Sequence, residues 1–573
     1  MLAGHIVRRK AKLAIVAAIL SVALLLPNVV LATHGGSGSP ELDVVGHFNP
    51  FGGVDGLTTD VWALGNYAYI GSFDEPFCSL DITGIRIIDI SDPAGPSQVG
   101  FISSPPNTRA NDIKVAHIET KFFAGDVLIH SNEFCGNGFI PRLVSRGGAF
   151  APGNNGIAIY DVTNPLKPKV LKQNFLKFQV HNTYIYQQGD QAYALVVDDE
   201  NLRDVHIIDI TKPQAPKEIA VTGAPDWPPG IDNIGLGEVF LHDVWAQEND
   251  GQVIAYLSYW DAGLVLLDIT DPGNPVFLGD SDYLDPDPLS GVAPEGNSHA
   301  AVPNADGTRV LMGDEDFGPG QITSFTFDGT SYPAIEGTFT FPVGLLPGQT
   351  FNGPVVWTGG LGCTAAEIPP APALGAVALI QRGVCFFQDK AEAAFAQGYA
   401  AFVVANDAAR GDALVAMAPR DDGPYPPIPG AFVGFSTGEV MHAAGVGIPG
   451  GTVVMTGIFD GYGRLHLLDV TDPANIVELD GFATENVFVP PVGGDRTMHN
   501  VVVEGTTAYI SWYAEGMRVV SFAGDTLTET AHFVDTGPEG SNFWGVYLHH
   551  HPNGNTYILG SDRDTGLWIF AAP

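Results

Sequence analysis

Five stretches of this chain repeat one short pattern: a run rich in β-branched residues, an Asp, then a Ser or Thr and a Pro. They are GIRIIDISDP ending at Pro93, GIAIYDVTNP at Pro165, DVHIIDITKP at Pro213, GLVLLDITDP at Pro272 and RLHLLDVTDP at Pro473. Such a run reads as a strand that ends in a turn. The Asp and Ser/Thr side chains bond nearby backbone N–H groups, and Pro presets its own dihedral. A strand-plus-turn unit cannot bury both of its faces alone, so the copies must stack on one another. The chain is thereby restricted to a repeat architecture of small sheets.

Each copy is the third strand, C, of a unit with strands A to D. In the first unit TTDVWALGN leads to YAYIGSF, then GIRIIDI, then PSQVGFIS. The unit recurs as DIKVAHI…DVLIHSN…GIAIYDV, HNTYIYQ…AYALVVD…VHIIDI and HDVWAQE…VIAYLSY…LVLLDI. A fifth begins HAAVPNADGTRVLMGDED, a sixth reads HNVVVEGTTAYISWYAEGMRVVSF, and a seventh, WGVYLHHHPNGNTYILGSDRDTGLWIF, stops after its strand C. Residues 42–48, LDVVGHF, resemble VGFI, strand D of the first unit, and are expected to complete the seventh. The prediction is a mainly β, seven-bladed β-propeller closed by its N-terminal strand, which leaves no sheet edge exposed. Six or eight blades are the alternatives, because units six and seven lack the Pro turn. The 70 Gly and 43 Pro suit many short strands and tight turns. The hydrophobic-hydrophobic-Asp-hydrophobic-Ser/Thr-x-Pro copies resemble the LVIVD repeat of β-propeller proteins of bacterial and other extracellular surfaces, over most of 41–320 and 458–573. That resemblance implies the fold and little about molecular role.

Successive motif aspartates, Asp89, Asp161, Asp209 and Asp268, lie 72, 48 and 59 residues apart, but the next, Asp469, is 201 residues on. Excising the 138 residues 320–457 leaves 63, an ordinary blade. Within that segment, ALGAVALIQRGVCFFQDKAEAAFAQGYAAFVVANDA reads as strand, turn, amphipathic helix and strand. Ala391, Ala394, Phe395 and Gly398 are spaced as one packed helical face. The Arg-Gly-x-Cys, Lys-x-x-x-Ala and Gly-Tyr-Ala-Ala-Phe-Val-Val-Ala-Asn order resembles the protease-associated (PA) domain over roughly 343–456, with PPIPGAFVGFSTGEVM as its closing strand and turn. The resemblance implies a small α/β or β-sandwich-like module, generally non-catalytic, that serves as a lid or binding surface, and it implies a Cys363–Cys385 pair. Gly434-Phe435-Ser436-Thr437-Gly438 matches the serine-hydrolase G-x-S-x-G pattern. Its place on a terminal turn, without the acid and His partners that follow a nucleophile elbow, argues against catalysis.

The first 32 residues read as an export signal. His5, Arg8, Arg9, Lys10 and Lys12 precede the apolar stretch Leu13–Leu26, and Val30-Leu31-Ala32 offers a cleavage position. The alternative is an uncleaved anchor. Loss of this segment removes four basic residues and leaves 22 against 64 acids, a net charge of −42. That charge argues against nucleic acid, or a membrane beyond the signal segment, as partner. Four cysteines, Cys78, Cys135, Cys363 and Cys385, without CxxC spacing suggest two disulfides in an exported chain. Cys78 and Cys135 fall in the B–C loops of blades 1 and 2, where they can staple neighbouring loops.

In a four-stranded meander the start of strand A and the end of strand B share one face of the ring. His181, His242, His299 and His499 begin strand A in consecutive blades, with Thr59, Asn111 and Phe543 at the matching positions elsewhere. Acidic residues crowd the same rim: Asp74, Glu133, Asp198, Asp199, Asp261, Asp314, Glu315, Asp316, Asp562 and Asp564. Glu238 and Glu295 stand four residues before His242 and His299. Converging imidazoles with these glutamates suit a transition metal. Asp198, Asp261, Asp314 and Asp316 suit Ca²⁺, which prefers oxygen ligands. The plainer reading is that the histidines fasten neighbouring strands and the acids are solvated. His206 and His466, three residues before the motif Asp, read as blade-face residues, and His549-His550-His551 as a surface hairpin.

The organisation expected is a signal peptide (1–32), a linker (33–40), propeller blades 1–4 with half of blade 5 (41–319), an inserted PA domain with its connectors (320–457), and the rest of the propeller (458–573). The function expected is a secreted or cell-surface, non-catalytic binding protein for an extracellular protein, peptide or glycan. Its rivals are a metal-dependent enzyme with the PA domain as lid, and a calcium-stabilised surface or adhesive protein. The sequence leaves cofactor and oligomeric state open.

Overall fold

The computed structural model describes residues 39–74, 79–134, 155–198, 201–229, 231, 239–281, 287–289, 291, 296–420, 423–445, 450–491 and 493–573. Seven sheets form blades, and strand A of each touches strand A of the next all the way round, so the A strands line a central channel. Blade 1 is Thr58–Leu64, Tyr67–Ser72, Gly84–Asp89 and Ser97–Ser103. Blade 7 comprises Phe543–His550, Thr556–Asp562 and Gly566–Ala571, and its outermost strand is Val44–Phe48, paired antiparallel with Gly566–Ala571. The predicted closure is therefore what the chain does.

The repeated Asp acts as the sequence implied. In each of the five copies its Oδ1 accepts the N–H two residues on, at 2.8–3.0 Å, from Ser91, Thr163, Thr211, Thr270 and Thr471. Between the blades, the alternate residues of facing sheets pack into apolar layers. Ile85 and Ile87 of blade 1 meet Ile113 and Leu128 of blade 2, and Leu195 and Ile207 of blade 3 meet Val244 and Leu257 of blade 4. One such layer joins blades 7 and 1 through Leu559, Ile569, Val61 and Ile70. His549 and His551 add to that joint and are not surface residues. Both are buried, with Nε2 on the Gly65 carbonyl (2.8 Å) and the Ile90 carbonyl (3.0 Å) of blade 1, while His550 between them stays exposed. Alternation along the strand turns the outer two inward, across a seam that is remote in sequence.

Blade 5 comprises Ser298–Pro303, Arg309–Asp314, Leu465–Asp469 and Val477–Phe482, and the inserted domain interrupts it between strands B and C. The stem of the insertion is the antiparallel pair Gly320–Phe327 and Gly450–Phe459. That second strand runs two residues past the 457 boundary. The stem belongs to an eight-stranded sheet in which Thr350–Trp357, Val377–Gln381, Ala401–Ala405 and Gly430–Val433 are parallel neighbours. Both faces of these strands are covered, as a parallel sheet requires. Ala378, Ile380, Phe402 and Val404 pack with helix α1 (Phe387–Ala396) on one side. Val377, Leu379, Val403 and Met441, the last from helix α2 (Phe435–Gly445), pack on the other. Helix α1 buries Lys390, Ala391, Ala393 and Ala394, whereas Phe395 is 39% exposed. The packed face is thus rotated from the one expected and includes Lys390, whose ammonium donates to the Gly383 carbonyl at 3.3 Å. Helix α2 replaces the terminal turn read from the sequence.

Candidate functional site at the channel mouth

The four histidines converge. Ring centroids are 4.3 Å apart for His181 and His242, 4.2 Å for His242 and His299, and 4.0 Å for His299 and His499. The arc ends on Trp544, 4.2 Å beyond His499. Trp544 rather than Phe543 holds the matching position in blade 7. A bulge between Phe543 and Gly545 shifts the register, and Phe543 turns into the core between blades 6 and 7. At the next position a Cβ on Gly545 would lie 2.5 Å from Ser561 Oγ and 2.7 Å from Asp60 Oδ1 of blade 1, so the strand runs close to blade 1 there.

Fastening is one clear task of this belt. Thr59 Oγ1 donates to the Ala110 carbonyl (2.9 Å), Asn111 Nδ2 to the His181 carbonyl (3.3 Å), and Asn182 Nδ2 to the His242 carbonyl (3.1 Å). Each bond runs from one blade to the next. Below the belt, Lys114 Nζ binds Asp60 (3.0 Å) and Asp112, a buried ion cluster that ties blades 1 and 2.

Two glutamates from the ends of strands B face the imidazoles. Glu133 Oε1 bonds His181 Nδ1, and its Oε2 accepts from Arg109 Nε at 2.7 Å. Glu315 Oε2 lies 3.7 Å from His299 Nε2, and its Oε1 lies 3.5 Å from His499 Nε2 while accepting the Tyr513 hydroxyl at 2.5 Å. His242, His299 and Glu315 each present a donor atom, all within 4.8 Å of one another. Burial pushes the His299 pKa down to about 3 and that of His499 well below its ordinary value, so both rings are neutral at neutral pH. Burial also pushes Glu315 up to about 7, against the Tyr513 hydrogen bond. Glu238 and Glu295 lie outside the described residues. Sequence reasoning counted Glu133 and Glu315 among the rim acids but gave them no partner. The available signal was their place just after strand B, opposite the start of strand A.

The four aspartates considered for calcium are spread over three blades and engaged locally. Asp198 Oδ2 accepts from Asn201 at 2.6 Å and faces His206 at 3.7 Å. Asp314 Oδ2 bonds His466 Nε2 at 2.8 Å. Asp316 accepts the Gly318 N–H at 2.7 Å, and Asp261 follows strand B of blade 4, packed beside Gly296. Among the described residues they form no common group. His206 and His466 hold one strand-C position, as the spacing to the motif Asp implied, and both are buried. Each lies between a strand-B aspartate and a strand-D glutamate, Glu218 (2.8 Å) and Glu478 (2.7 Å) respectively.

The PA domain family matches residues 351–441, and the LVIVD repeat family matches residues 55–102 and 242–282. The chain carries LVIVD repeats and a PA domain. No curated protein matches it. Among solved structures, the zinc aminopeptidase BSAP of Bacillus subtilis is 19% identical over 26% of this chain and 34% of its own, with a TM-score of 0.21. The chain thus spans about a third of that enzyme. The β-propeller domain of Cps50 (Swd1) from Myceliophteria thermophila is 8% identical over 93% of this chain and 100% of its own, at a TM-score of 0.41. Sqt1 of Saccharomyces cerevisiae is 7% identical over 93% and 100%, at 0.40.

In the PA domain the G-x-S-x-G match has a structural explanation at each residue. Ser436 donates both its N–H and its hydroxyl to Asp412 (2.7 Å each), an acceptor that closes the first turn of α2. A Cβ on Gly434 would meet Asp412 at 2.7 Å, and one on Gly438 would meet the Ala405 Cβ at 2.4 Å. The glycines admit the loop and the sheet, and Ser436 is the first-turn residue that Asp412 caps. Cys363 and Cys385 form a disulfide, as the resemblance implied. Cys78 and Cys135 lie outside the described residues. Beside Cys385, Val384 is 79% and Phe386 52% exposed. Together, LVIVD propeller and PA domain make a protein-interaction module.

Proposed function

We propose that the protein is an exported, non-catalytic binding protein whose ligand surface is shared by the PA domain and the propeller face beneath it. The observation that carries this reading is the point of insertion. The PA stem begins at Gly320, five residues after Glu315, which faces the channel histidines. The added domain therefore rises from the rim where the loops of neighbouring blades meet. The exposed pair Val384 and Phe386 offers the apolar anchor that a protein or peptide ligand needs at the centre of an interface. Support for export comes from the basic-then-apolar N-terminal stretch and from the Cys363–Cys385 bond, which persists in oxidising compartments.

The test is a survey of the purified chain against arrays of extracellular peptides, proteins and glycans, repeated with the Val384→Asp/Phe386→Asp variant. A ligand bound by the native chain and weakened about tenfold or more by the double variant supports the reading. Ligands held equally by both proteins, or turnover of a bound ligand, overturn it.

A further inference from the structure

The belt needs only hydrogen-bonding side chains to hold the ring, and Thr59, Asn111 and Asn182 do that without imidazole. Four consecutive histidines are more than fastening requires. Three features distinguish their arc. A buried carboxylate, Glu315, lies opposite two Nε2 atoms at 3.5 and 3.7 Å. No arginine or lysine is bonded to that carboxylate among the described residues; its short partner is a tyrosine hydroxyl. A cavity of about 10 Å³ lies against His299 and His499, room for about one water.

We propose that His242, His299 and Glu315 bind one divalent transition-metal ion at the mouth of the propeller channel, with a single water in the adjoining cavity. Two imidazoles and a carboxylate suit zinc and its first-row neighbours, and are too nitrogen-rich for calcium or magnesium. Bonds of about 2.0–2.1 Å draw ligands to roughly 3.4 Å apart. Loading therefore tightens a group whose donors now lie within 4.8 Å. Since His242 belongs to blade 4 and His299 and Glu315 to blade 5, the ion bridges the blade that carries the PA domain to its neighbour. The other grouping of this kind, Asp287, His466 and Glu478, is already satisfied. His466 uses both nitrogens on carboxylates, and Arg464 donates to Asp287 at 3.1 Å.

The full chain, made without a histidine tag and stripped with a chelator, is titrated with Co²⁺ and Zn²⁺. The expected result is one equivalent of Co²⁺ with a visible d–d band, displaced by Zn²⁺, and a higher melting temperature when loaded. Two variants are designed to fold: Glu315→Gln keeps an acceptor for Tyr513, and His299→Asn installs the residue type blade 2 has at Asn111. Each is expected to weaken Co²⁺ binding about 100-fold, whereas His550→Ala leaves it unchanged. Absence of a d–d band in the native chain, or full affinity in both variants, overturns the proposal. Should neither variant fold, X-ray absorption of the Zn²⁺-loaded native protein decides: two imidazole ligands support the site, and a shell of oxygens alone overturns it.

Discussion

His466 sits where a repeat protein would place an ordinary strand residue, yet it is among the most constrained groups in the ring. It faces Asp314, Glu478 and Asp287, with Arg464 as the cation alongside. Burial alone would lower its pKa, but the Asp314 and Glu478 carboxylates outweigh that and raise it well above the ordinary value. A raised folded-state pKa stabilises fully below the unfolded value of about 6.5 and is lost as pH climbs through the folded value. His466→Gln should therefore cost about 3 kcal/mol at pH 6, with the deficit shrinking as pH rises beyond 7. Urea unfolding of both proteins from pH 6 to 9 measures this, and a constant deficit would contradict it. The His466 register was legible from the spacing to Asp469, but its partners were not. Asp314 and Glu478 come from strands B and D and Asp287 from the segment that precedes blade 5, and strand B is separated from His466 by the whole insertion. The same holds for His549 and His551, whose acceptors lie across the closing seam.

At the level of elements, helix α1 was readable from its Ala-rich, Lys-containing run and α2 was not. GFSTGEVMHAAG is poor in strong helix formers, and its helix depends on contacts no local window contains: the Asp412 cap, the Gly438 approach to Ala405 and Met441 in the sheet core. The disulfide of the PA domain closes a 22-residue separation between loops at one end of this sheet. Opening it in a Cys363→Ser/Cys385→Ser variant should cost that domain about 3 kcal/mol. Differential scanning calorimetry is expected to show a lowered PA transition beside an unmoved propeller transition. A joint downward shift of both would mean the two fold as one cooperative unit.

For the molecule as a whole, blade number and closure were legible because the motif aspartates serve as a ruler and Val44–Phe48 copies a strand D. The site was less so, since a one-residue bulge hid Trp544 and the partners of the histidines come from other strands. Removing residues 39–48 should leave Gly566–Ala571 as an unpaired edge and also take away the Leu42 N–H bond to the His532 carbonyl (2.7 Å) of blade 6. The expected outcome is a melting point lower by several degrees and concentration-dependent association in light scattering. A monomer of unchanged melting point would show that the seventh blade needs no closing strand. The pairing of Val44–Phe48 with Gly566–Ala571 also sets an order of events in time. Strand D of blade 7 is made before the other six blades and must wait for its partner, Gly566–Ala571, until all of them have been synthesised. Throughout elongation the ring is an open arc, whereas the PA sheet is complete once Phe459 has been added and is free to fold before blades 6 and 7 exist.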